Sequence, residues 1–423
     1  MHILRNGSNF MPKFILSLIM KKHIYPFLIA GLLTCVAAKA QEPTTWRGPG
    51  SGGVYPETGL LKSWPANGPE MVWHFDELGD GFSSPVFANG KIFLSAAVEN
   101  VGYIYALSLD GKLEWKASYG EEWVENYPGT RATPSVVGDM LYIYSGNGVI
   151  TCMNATTGTI NWKKELIKEL SGQNITWGVA ETVVIDGDKV YITVGGKTNN
   201  VVALNRLNGQ LIWSSKGVGE KPAYCSPALV KLQSRKLLVT MTERHIIGLD
   251  TETGATLWSY EHINEWAVHA NTPVFYQNSL FCFSGYGQGG VKLDLNTDGS
   301  QVTKAWFSKK MDSRMGGAVI LDGYIYGSGD NTRDWQCIDW KTGDQKYASQ
   351  AIAKGNIISA DGMLFCYSER GEVALVPATP AGFTIAGKTK VELGSGQHWA
   401  HLVINNGRLF VRHGKSLIAY KVK

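Results

Sequence analysis

The 423-residue sequence lacks the features that mark several large protein classes. No helical spacing of apolar residues runs through it, so a helical bundle or an α/β fold is not indicated. None of its six cysteines is adjacent to another or part of a Cys-x-x-Cys pair, which argues against a disulfide framework and against a zinc site. Five of them are therefore expected to be free core thiols: Cys152, Cys225, Cys282, Cys337 and Cys366.

The chain also lacks an excess of charge beyond its first 40 residues. Its formal net charge is +4, but residues 1–40 hold five lysines and arginines and no acidic residue. The rest has 35 basic and 36 acidic residues, so we expect neither a nucleic-acid partner nor electrostatic binding to an anionic membrane. No later stretch is apolar enough to predict a transmembrane span.

Residues 1–40 are typical of an upstream extension followed by an export signal peptide. Lys21–Ala40 combines a basic start, an apolar run and an Ala-x-Ala ending, and Met20 fits as the natural start. Cleavage near Ala40 predicts an exported protein, located in the periplasm or the cell envelope. Leu32–Cys35 offers the alternative of a lipoprotein anchored through Cys35.

What the sequence does contain is a repeated hairpin, clearest at Ile246–Trp258. An apolar strand leads into an Asp/Thr/Gly turn, and a second strand ends on a large aromatic residue. Further copies also end on an aromatic residue, at Trp115, Trp162, Trp213, Trp306 and Tyr347. These closing residues are 41 to 51 residues apart, a period of strands that is typical of β-propeller blades.

A second strand pair precedes each hairpin, as in Ser84–Leu94, Thr133–Ile143 and Thr272–Cys282. Eight such starts lie near residues 84, 133, 181, 226, 272, 317, 357 and 401. We therefore predict an all-β fold, an eight-bladed β-propeller of four-stranded blades. The last unit lacks a fourth strand, and Glu70–Phe75 is predicted to complete it and close the ring.

Residues 41–69 are predicted to form an irregular strap ahead of the propeller, which takes residues 70–423. Glycine and proline prevent regular structure over most of the strap. We interpret Trp46, Leu60 and Trp64 as anchors that pack the strap against the propeller. The alternative is that the strap is a functional arm.

The repeat resembles that of pyrroloquinoline quinone (PQQ) enzymes and of the wider family of PQQ-like propellers, which includes the outer-membrane assembly lipoprotein BamB. The resemblance rests on the Ala-Leu-Asp/Asn-x-x-x-Gly-x-x-x-Trp hairpins and the (Ser/Thr)-Pro-x-Val strand starts. Trp46–Pro49 and Pro56–Pro65 also look like the N-terminal part of exported PQQ-like proteins. The resemblance covers residues 46–423 and is specific for the fold and weak for function.

Residues just before the innermost strand of each blade are expected to line one mouth of the central channel. Turns need neither arginines nor large aromatics to fold, so these side chains could hold a planar or anionic ligand. The alternative is a polar plug around ordered water. The predicted ligand-binding residues are Phe82, Arg131, Trp177, Tyr224, His269, Asn271, Arg314, Asn356, His398 and Trp399.

Three functions remain open on this sequence. The first is a monomeric scaffold that binds a small ligand or an envelope protein, with no assigned catalytic residue, metal or cofactor. The resemblance also implies a PQQ- and calcium-dependent alcohol or sugar dehydrogenase, with Arg131, Trp177 and Arg314 about the cofactor and Glu181 or Asp330–Asn331 in suggestive positions. The adjacent-cysteine disulfide of family enzymes is missing. The third function is a BamB-like outer-membrane assembly adaptor that uses exposed loops.

Overall fold

The structure is a computed structural model that describes residues 42–423 and arranges them as an eight-bladed β-propeller. The predicted fold class is confirmed. The predicted export signal and the lipidation site at Cys35 lie outside the described residues. Within them, helical structure is limited to the 3-10 turn Pro49–Ser51 and the four-residue α1 (Leu166–Glu169).

Two short strands precede the first blade, β1 (Val54–Tyr55) and β2 (Met71–Phe75). The first four blades follow in chain order, each an antiparallel sheet whose strands pair in sequence order. Blade 1 is β3 (Val86–Ala88), β4 (Lys91–Val98), β5 (Val101–Ser108) and β6 (Leu113–Glu121); blade 2 is β7 (Ser135–Val137), β8 (Met140–Tyr144), β9 (Val149–Asn154) and β10 (Ile160–Glu165); blade 3 is β11 (Val184–Asp186), β12 (Lys189–Thr193), β13 (Val201–Asn205) and β14 (Leu211–Ser215); blade 4 is β15 (Ala228–Lys231), β16 (Lys236–Met241), β17 (His245–Asp250) and β18 (Thr256–Glu261).

The second half of the ring repeats this arrangement, and the first strands of several neighbouring blades contact each other at the centre. Blade 5 is β19 (Val274–Tyr276), β20 (Ser279–Ser284), β21 (Gly289–Leu295) and β22 (Val302–Ser308); blade 6 is β23 (Ala318–Leu321), β24 (Tyr324–Ser328), β25 (Trp335–Asp339) and β26 (Gln345–Ser349); blade 7 is β27 (Gly355–Ala360), β28 (Met363–Ser368), β29 (Glu372–Pro377) and β30 (Gly387–Lys390); blade 8 is β31 (Val403–Asn405), β32 (Arg408–His413), β33 (Ser416–Lys421) and β2.

The ring closes as predicted, because the N-terminal strand β2 completes the C-terminal blade. β2 pairs antiparallel with β33, and Trp73 lies opposite Ala419. The predicted strand Glu70–Phe75 therefore differs from the observed one only at its first residue. Both ends of the propeller are held in one sheet, which leaves no open blade edge at the join.

The repeated motif residues dock each blade on the next. The indole nitrogens of Trp162, Trp213 and Trp258 donate hydrogen bonds of 2.9 to 3.1 Å to carbonyls in the following blade's hairpin turn. The turn glycine packs against the same ring, since a Cβ on Gly254 would lie 2.6 Å from Trp213. Gly254 also has a positive φ of 73°, so glycine is required there on both counts.

Ser/Thr residues at the start of the first four units connect those blades to each other around the channel. The backbone N–H of Ser84 donates to the Thr133 hydroxyl (3.0 Å), that of Thr133 to Thr182 (3.1 Å), and that of Thr182 to Ser226 (2.9 Å). These bonds satisfy backbone groups that are buried between blades. The motif residues therefore hold the blades together, and the fold does not depend on which side chains their neighbours present to the channel.

The N-terminal strap enters the central channel, which the sequence did not predict. Thr44 forms an antiparallel bridge with Val136 in blade 2, and β1 then pairs in parallel with β27 of blade 7. The sheet of blade 7 therefore has five strands instead of the predicted four. Leu60 and Trp64 are buried against the propeller as expected for anchors, with 4% and 8% of their surface exposed.

The interior is apolar, and the five described cysteines are buried and free, as predicted. Burial raises the pKa of Cys152 to about 11, so this thiol is unreactive at neutral pH. No helix in residues 42–423 is long and apolar enough to cross a membrane.

Candidate functional site

A cavity of about 420 Å³ lies at the centre of the ring, on the face where the innermost strands begin. Segments from seven blades line it, and the strap contributes one residue. Its size suits a small organic ligand. The lining residues are Trp46, Phe82, Tyr127, Arg131, Thr133, Trp177, Ala180, Thr182, Tyr224, Ser226, Trp266, Val268, Ala270, Tyr286, Arg314, Met315, Trp399 and His401.

Six of the ten predicted residues meet at this cavity: Phe82, Arg131, Trp177, Tyr224, Arg314 and Trp399. Asn356 and His398 instead line a smaller adjoining cavity of about 20 Å³, which we call the annex. Arg314, Met315 and Trp399 line both spaces, so the annex is next to the main cavity. Ligand binding by these residues stays a prediction.

His269 and Asn271 do not line either space, and their prediction as channel-mouth residues was wrong. His269 is fully buried, with Nδ1 2.8 Å from the Ser284 hydroxyl, and Asn271 donates to the carbonyl of Ser313 at 2.6 Å. Side chains alternate along an extended segment. Val268 and Ala270 therefore face the cavity while residues 269 and 271 face the protein.

Eight of the eighteen lining residues are phenylalanine, tyrosine or tryptophan, and their rings pack against each other in tilted or edge-to-face pairs. Such an arrangement presents both ring faces and ring edges to the interior of the cavity. The pairs, with the distances between ring centroids, are Tyr127–Trp399 (5.0 Å), Phe82–Trp399 (5.1 Å), Trp177–Tyr224 (5.8 Å) and Trp266–Tyr286 (6.3 Å).

The three tyrosines of the cavity have strained backbones. Tyr127, Tyr224 and Tyr286 have φ values of 49°, 70° and 60°, and no other tyrosine in residues 42–423 has a positive φ. Bulky residues rarely adopt this conformation, which costs about 1–2 kcal/mol per residue. Strain of this kind clusters at functional sites, although Glu99, Ser171 and Arg333 also have a positive φ and do not line the cavity.

Two arginines reach the cavity from opposite sides of the ring. Arg131 precedes blade 2 and Arg314 precedes blade 6, four blades away in a ring of eight. The guanidinium of Arg131 donates to backbone carbonyls, including that of Gly129 at 3.0 Å, and burial lowers its pKa. Burial opposes the charge of Arg314 as well, but Asp330 and Glu369 outweigh it and raise its pKa above the usual value.

The tip of the strap closes the channel beneath the cavity. Trp46 lines the cavity, edge-on to His401 at 4.9 Å, so its predicted role as a packing anchor was incomplete. Arg47 is buried and donates to the carbonyls of Ala318 (2.7 Å) and Ile357 (3.0 Å). Its guanidinium also lies 2.8 Å from Nδ1 of His401. Desolvation lowers the pKa of Arg47 to about 10, which still leaves it charged at neutral pH.

The residues do not fit a calcium-bound quinone. Both oxygens of Glu181 accept from the Thr193 amide at 3.1 Å inside blade 3, and burial raises the pKa of this carboxyl to about 8. Asp330 belongs to blade 6 and pairs with Lys354, while the Asn331 amide donates to Asp312. Residues 42–423 hold no cluster of three acids, histidines or cysteines able to bind a metal. We therefore derive no quinone chemistry.

Comparison with known proteins identifies relatives that are mostly BamB proteins. A family model described as "Outer membrane protein assembly factor BamB" matches residues 100–349 and 236–380. BamB of Kangiella koreensis is 23% identical over 212 residues, 49% of each chain, and BamB of Moranella endobia is 23% identical over 261 residues, 60% of each chain. A tetrathionate hydrolase of Acidithiobacillus ferrooxidans is 26% identical over 49% of this chain and 46% of its own. The chain thus spans about half the length of these curated relatives.

Solved structures show the same fold at lower identity. BamB from Moraxella catarrhalis superposes with a TM-score of 0.58 and 15% identity, over 84% of this chain and 98% of its own. A europium-containing methanol dehydrogenase superposes with a TM-score of 0.65 and 12% identity, over 86% and 88%. Since the family model covers well over half of the sequence, the chain belongs to the PQQ-like propeller family described by that BamB model.

Proposed function

We propose that this protein is an exported PQQ-like propeller that binds a planar organic anion in its central cavity. The single observation that supports this function best is the strain of Tyr127, Tyr224 and Tyr286, because a bulky aromatic residue at a positive φ is uncommon and such residues cluster at functional sites. All three rings line the cavity. Export is supported by the signal-like Lys21–Ala40 and by the relatives' names, which refer to the outer membrane.

The chemistry of the wall supports an anion with a flat body. Aromatic faces bind flat rings by stacking, and arginine binds carboxylates through charged hydrogen bonds. Arg131 and Arg314 are the charged residues that line the main cavity within the described chain, and no carboxylate lines it. A cationic ligand would therefore be repelled, which favours an anion over an amine.

Calorimetric titration with PQQ, a planar tricarboxylate, tests the proposal, first with a chelator and then with calcium. We expect binding without calcium, at least ten-fold weaker in Arg131→Gln and in Trp177→Leu. Arg408→Gln serves as the matched control, because Arg408 begins β32 in blade 8 and does not line the cavity. Absence of binding to the folded wild type would refute the proposal, whereas calcium-dependent binding with alcohol oxidation would support the dehydrogenase.

A second candidate, a BamB-like assembly adaptor, is favoured by one asymmetry of the outer strands. The position two residues before the closing aromatic is apolar and exposed in four consecutive blades, 8, 1, 2 and 3. It is polar in blades 4, 5 and 6, where it is Thr256, Lys304 and Gln345. The apolar residues and their exposed fractions are Met71 (44%), Leu113 (44%), Ile160 (47%) and Leu211 (49%).

This apolar arc supports an interaction surface for an envelope protein, since one partner could cover the exposed aliphatic residues of several neighbouring blades. The triple change Leu113→Ser, Ile160→Ser and Leu211→Ser should abolish cross-links to outer-membrane assembly proteins in intact cells. Thr256→Ser, Lys304→Ser and Gln345→Ser is the matched control in the polar half. Equal cross-linking in both triple variants would remove the adaptor hypothesis for this surface.

A further inference from the structure

We propose that the cavity has two chemically different ends and that its ligand is an aromatic carboxylate bearing a hydroxyl group at the opposite end. The carboxylate binds Arg131, and the hydroxyl enters the annex beside Asn356. This inference rests on the proposed function and specifies its ligand class. It depends on the charge balance of the two ends and on unpaired buried polar atoms in the annex.

The Arg131 end carries a positive charge that is not engaged in an ion pair within residues 42–423, although the buried Glu122 is close enough to stabilise that charge. No carboxylate of the described residues forms an ion pair with Arg131, whose bonds go to the carbonyls of Asn126, Tyr127 and Gly129. A guanidinium held by neutral carbonyls keeps its full charge and remains able to bind an anion. This end therefore selects the carboxylate.

The opposite end is electrically balanced. Arg314 pairs with Glu369 at 3.3 Å, and Lys354 pairs with Asp330 and lies 3.9 Å from Glu369. Two cations thus face two carboxylates around the annex. A second anion placed here would be repelled by acids whose partners are already engaged, so this end favours a neutral group.

Two polar atoms at this end lack a partner. Asn356 is only 3% exposed, and its amide donates to the carbonyl of Ala400 at 3.2 Å. Its Oδ1 is an acceptor with no donor among the described residues, and Nε of Arg314 is a donor with no acceptor among them. A buried unpaired polar atom costs about 1–3 kcal/mol, so a group able to donate and accept at once is favoured.

A hydroxyl is the group that meets both requirements and fits the space. It offers one donor and two acceptor sites, and the annex, at about 20 Å³, holds one group the size of a water molecule. His398 adds no charge, because burial and the nearby His413 lower its pKa to about 4. Its Nδ1 lies 2.6 Å from the hydroxyl of Tyr367.

The two ends lie across the ring from each other. Arg131 precedes blade 2, whereas the annex lies between the inner strands of blades 6 and 7. The aromatic walls occupy the space between them, with Trp399 lining both the main cavity and the annex. In this proposal a rigid aromatic body lies along these walls, with its carboxylate at the Arg131 end and its hydroxyl in the annex.

Calorimetric titration of the purified protein with three planar probes tests the inference: para-coumarate, cinnamate and para-carboxycinnamate. They share one body and differ only in the para substituent, which is hydroxyl, hydrogen or carboxylate. We expect para-coumarate to bind about 10- to 100-fold more tightly than either other probe, since a site built to bond a hydroxyl rejects its analogues.

Two variants separate the ends. Asn356→Leu should bring the ratio of para-coumarate to cinnamate affinity close to one, whereas Arg131→Gln should weaken both ligands about equally and keep the ratio. Melting curves check folding, and Asn356→Ala replaces the leucine variant should that one unfold. Retention of the full ratio in a folded Asn356 variant would overturn the inference.

The remaining outcomes distinguish the inference from the proposed function. Equal affinity for para-coumarate and cinnamate, or tightest binding of para-carboxycinnamate, overturns the inference and leaves the cavity as an anion site. Binding of PQQ without binding of any of the three probes also overturns the inference and leaves the cavity as an anion site. Failure of all three probes and of PQQ overturns both.

Discussion

The floor of the central channel and the cavity above it differ in whether their buried polar groups have hydrogen-bond partners. At the floor, Arg47 is buried with hydrogen-bond partners on three blades, and His401 bonds both Arg47 and the carbonyl of Met315. In the cavity and its annex, Arg314 and Asn356 each leave a buried atom unpaired among the described residues. The floor thus pairs Arg47 and His401, although the nearby Tyr55 hydroxyl is unpaired within residues 42–423. The cavity and its annex keep unused bonding capacity at Arg314 and Asn356 together with strained tyrosines, which is expected of a binding site.

The strongest test of this contrast compares the two channel arginines. Arg47→Met should lower the free energy of unfolding by about 3–5 kcal/mol, because it leaves buried acceptors on Ala318, Ile357 and His401 unpaired. Arg131→Met should cost less than about 1 kcal/mol, since water can reach the carbonyls it leaves. Denaturant unfolding measures both. Similar losses would show that the two regions do not differ in this way.

A second test concerns Glu181, which lies behind the cavity wall without an ion pair among the described residues. Burial raises its pKa from 4.5 to about 8, so the folded state binds this proton more tightly than the unfolded chain does. The stability this carboxyl contributes is complete below about pH 4.5 and is lost as the pH rises through 8. Between pH 5 and pH 8, the free energy of unfolding of Glu181→Gln should therefore fall by about 3 kcal/mol less than that of the wild type.

Unfolding free energies of both proteins at the two pH values give this difference directly. The comparison between variant and wild type is essential, because His262, His398 and His401 act in the opposite direction. Burial lowers their pKa values, to about 3 for His262 and His401, so their contribution rises with pH. Parallel pH profiles of variant and wild type would mean that Glu181 is ionised in the folded protein at pH 5.

The smallest effect is expected for the strained tyrosines. Tyr286→Asn should leave stability unchanged or raise it by about 0.5–1 kcal/mol, because asparagine tolerates a positive φ, while PQQ affinity falls. Tyr260→Asn is the matched control, a half-buried tyrosine within β18 that should lose about 1 kcal/mol or more. Thermal melts measure the stability of each variant, and calorimetric titration measures its affinity for PQQ. A clear loss of stability in Tyr286→Asn would show that the tyrosine side chain is needed for folding despite its strained backbone.

The fold could be predicted from the sequence because each blade repeats the same local requirements. The glycine that packs under Trp213 and the hydroxyl of Thr133 that binds the neighbouring blade occur at fixed positions in every clear copy. Even ring closure followed from counting, since Trp73 was a closing aromatic without a blade before it.

The site was only partly predictable, because it depends on segments that obey no repeat. Placing residues before each inner strand found Arg131, Trp177 and Arg314, but side-chain alternation turned His269 and Asn271 away. Tyr127 and Trp266 lie in the same inter-blade segments. Because they are large aromatic residues in segments expected to be exposed, they could have been predicted as cavity residues too. Nothing in the strap's local sequence shows that it enters the channel, since its partners on blades 2, 6, 7 and 8 are distant in sequence.

The pairing of β2 with β33 also sets an order of events during synthesis. β2 leaves the ribosome among the first strands, but its partner Ser416–Lys421 is made last. Until then the early blades cannot form a closed ring, and β2 remains an unpaired edge with an aromatic residue exposed to other chains.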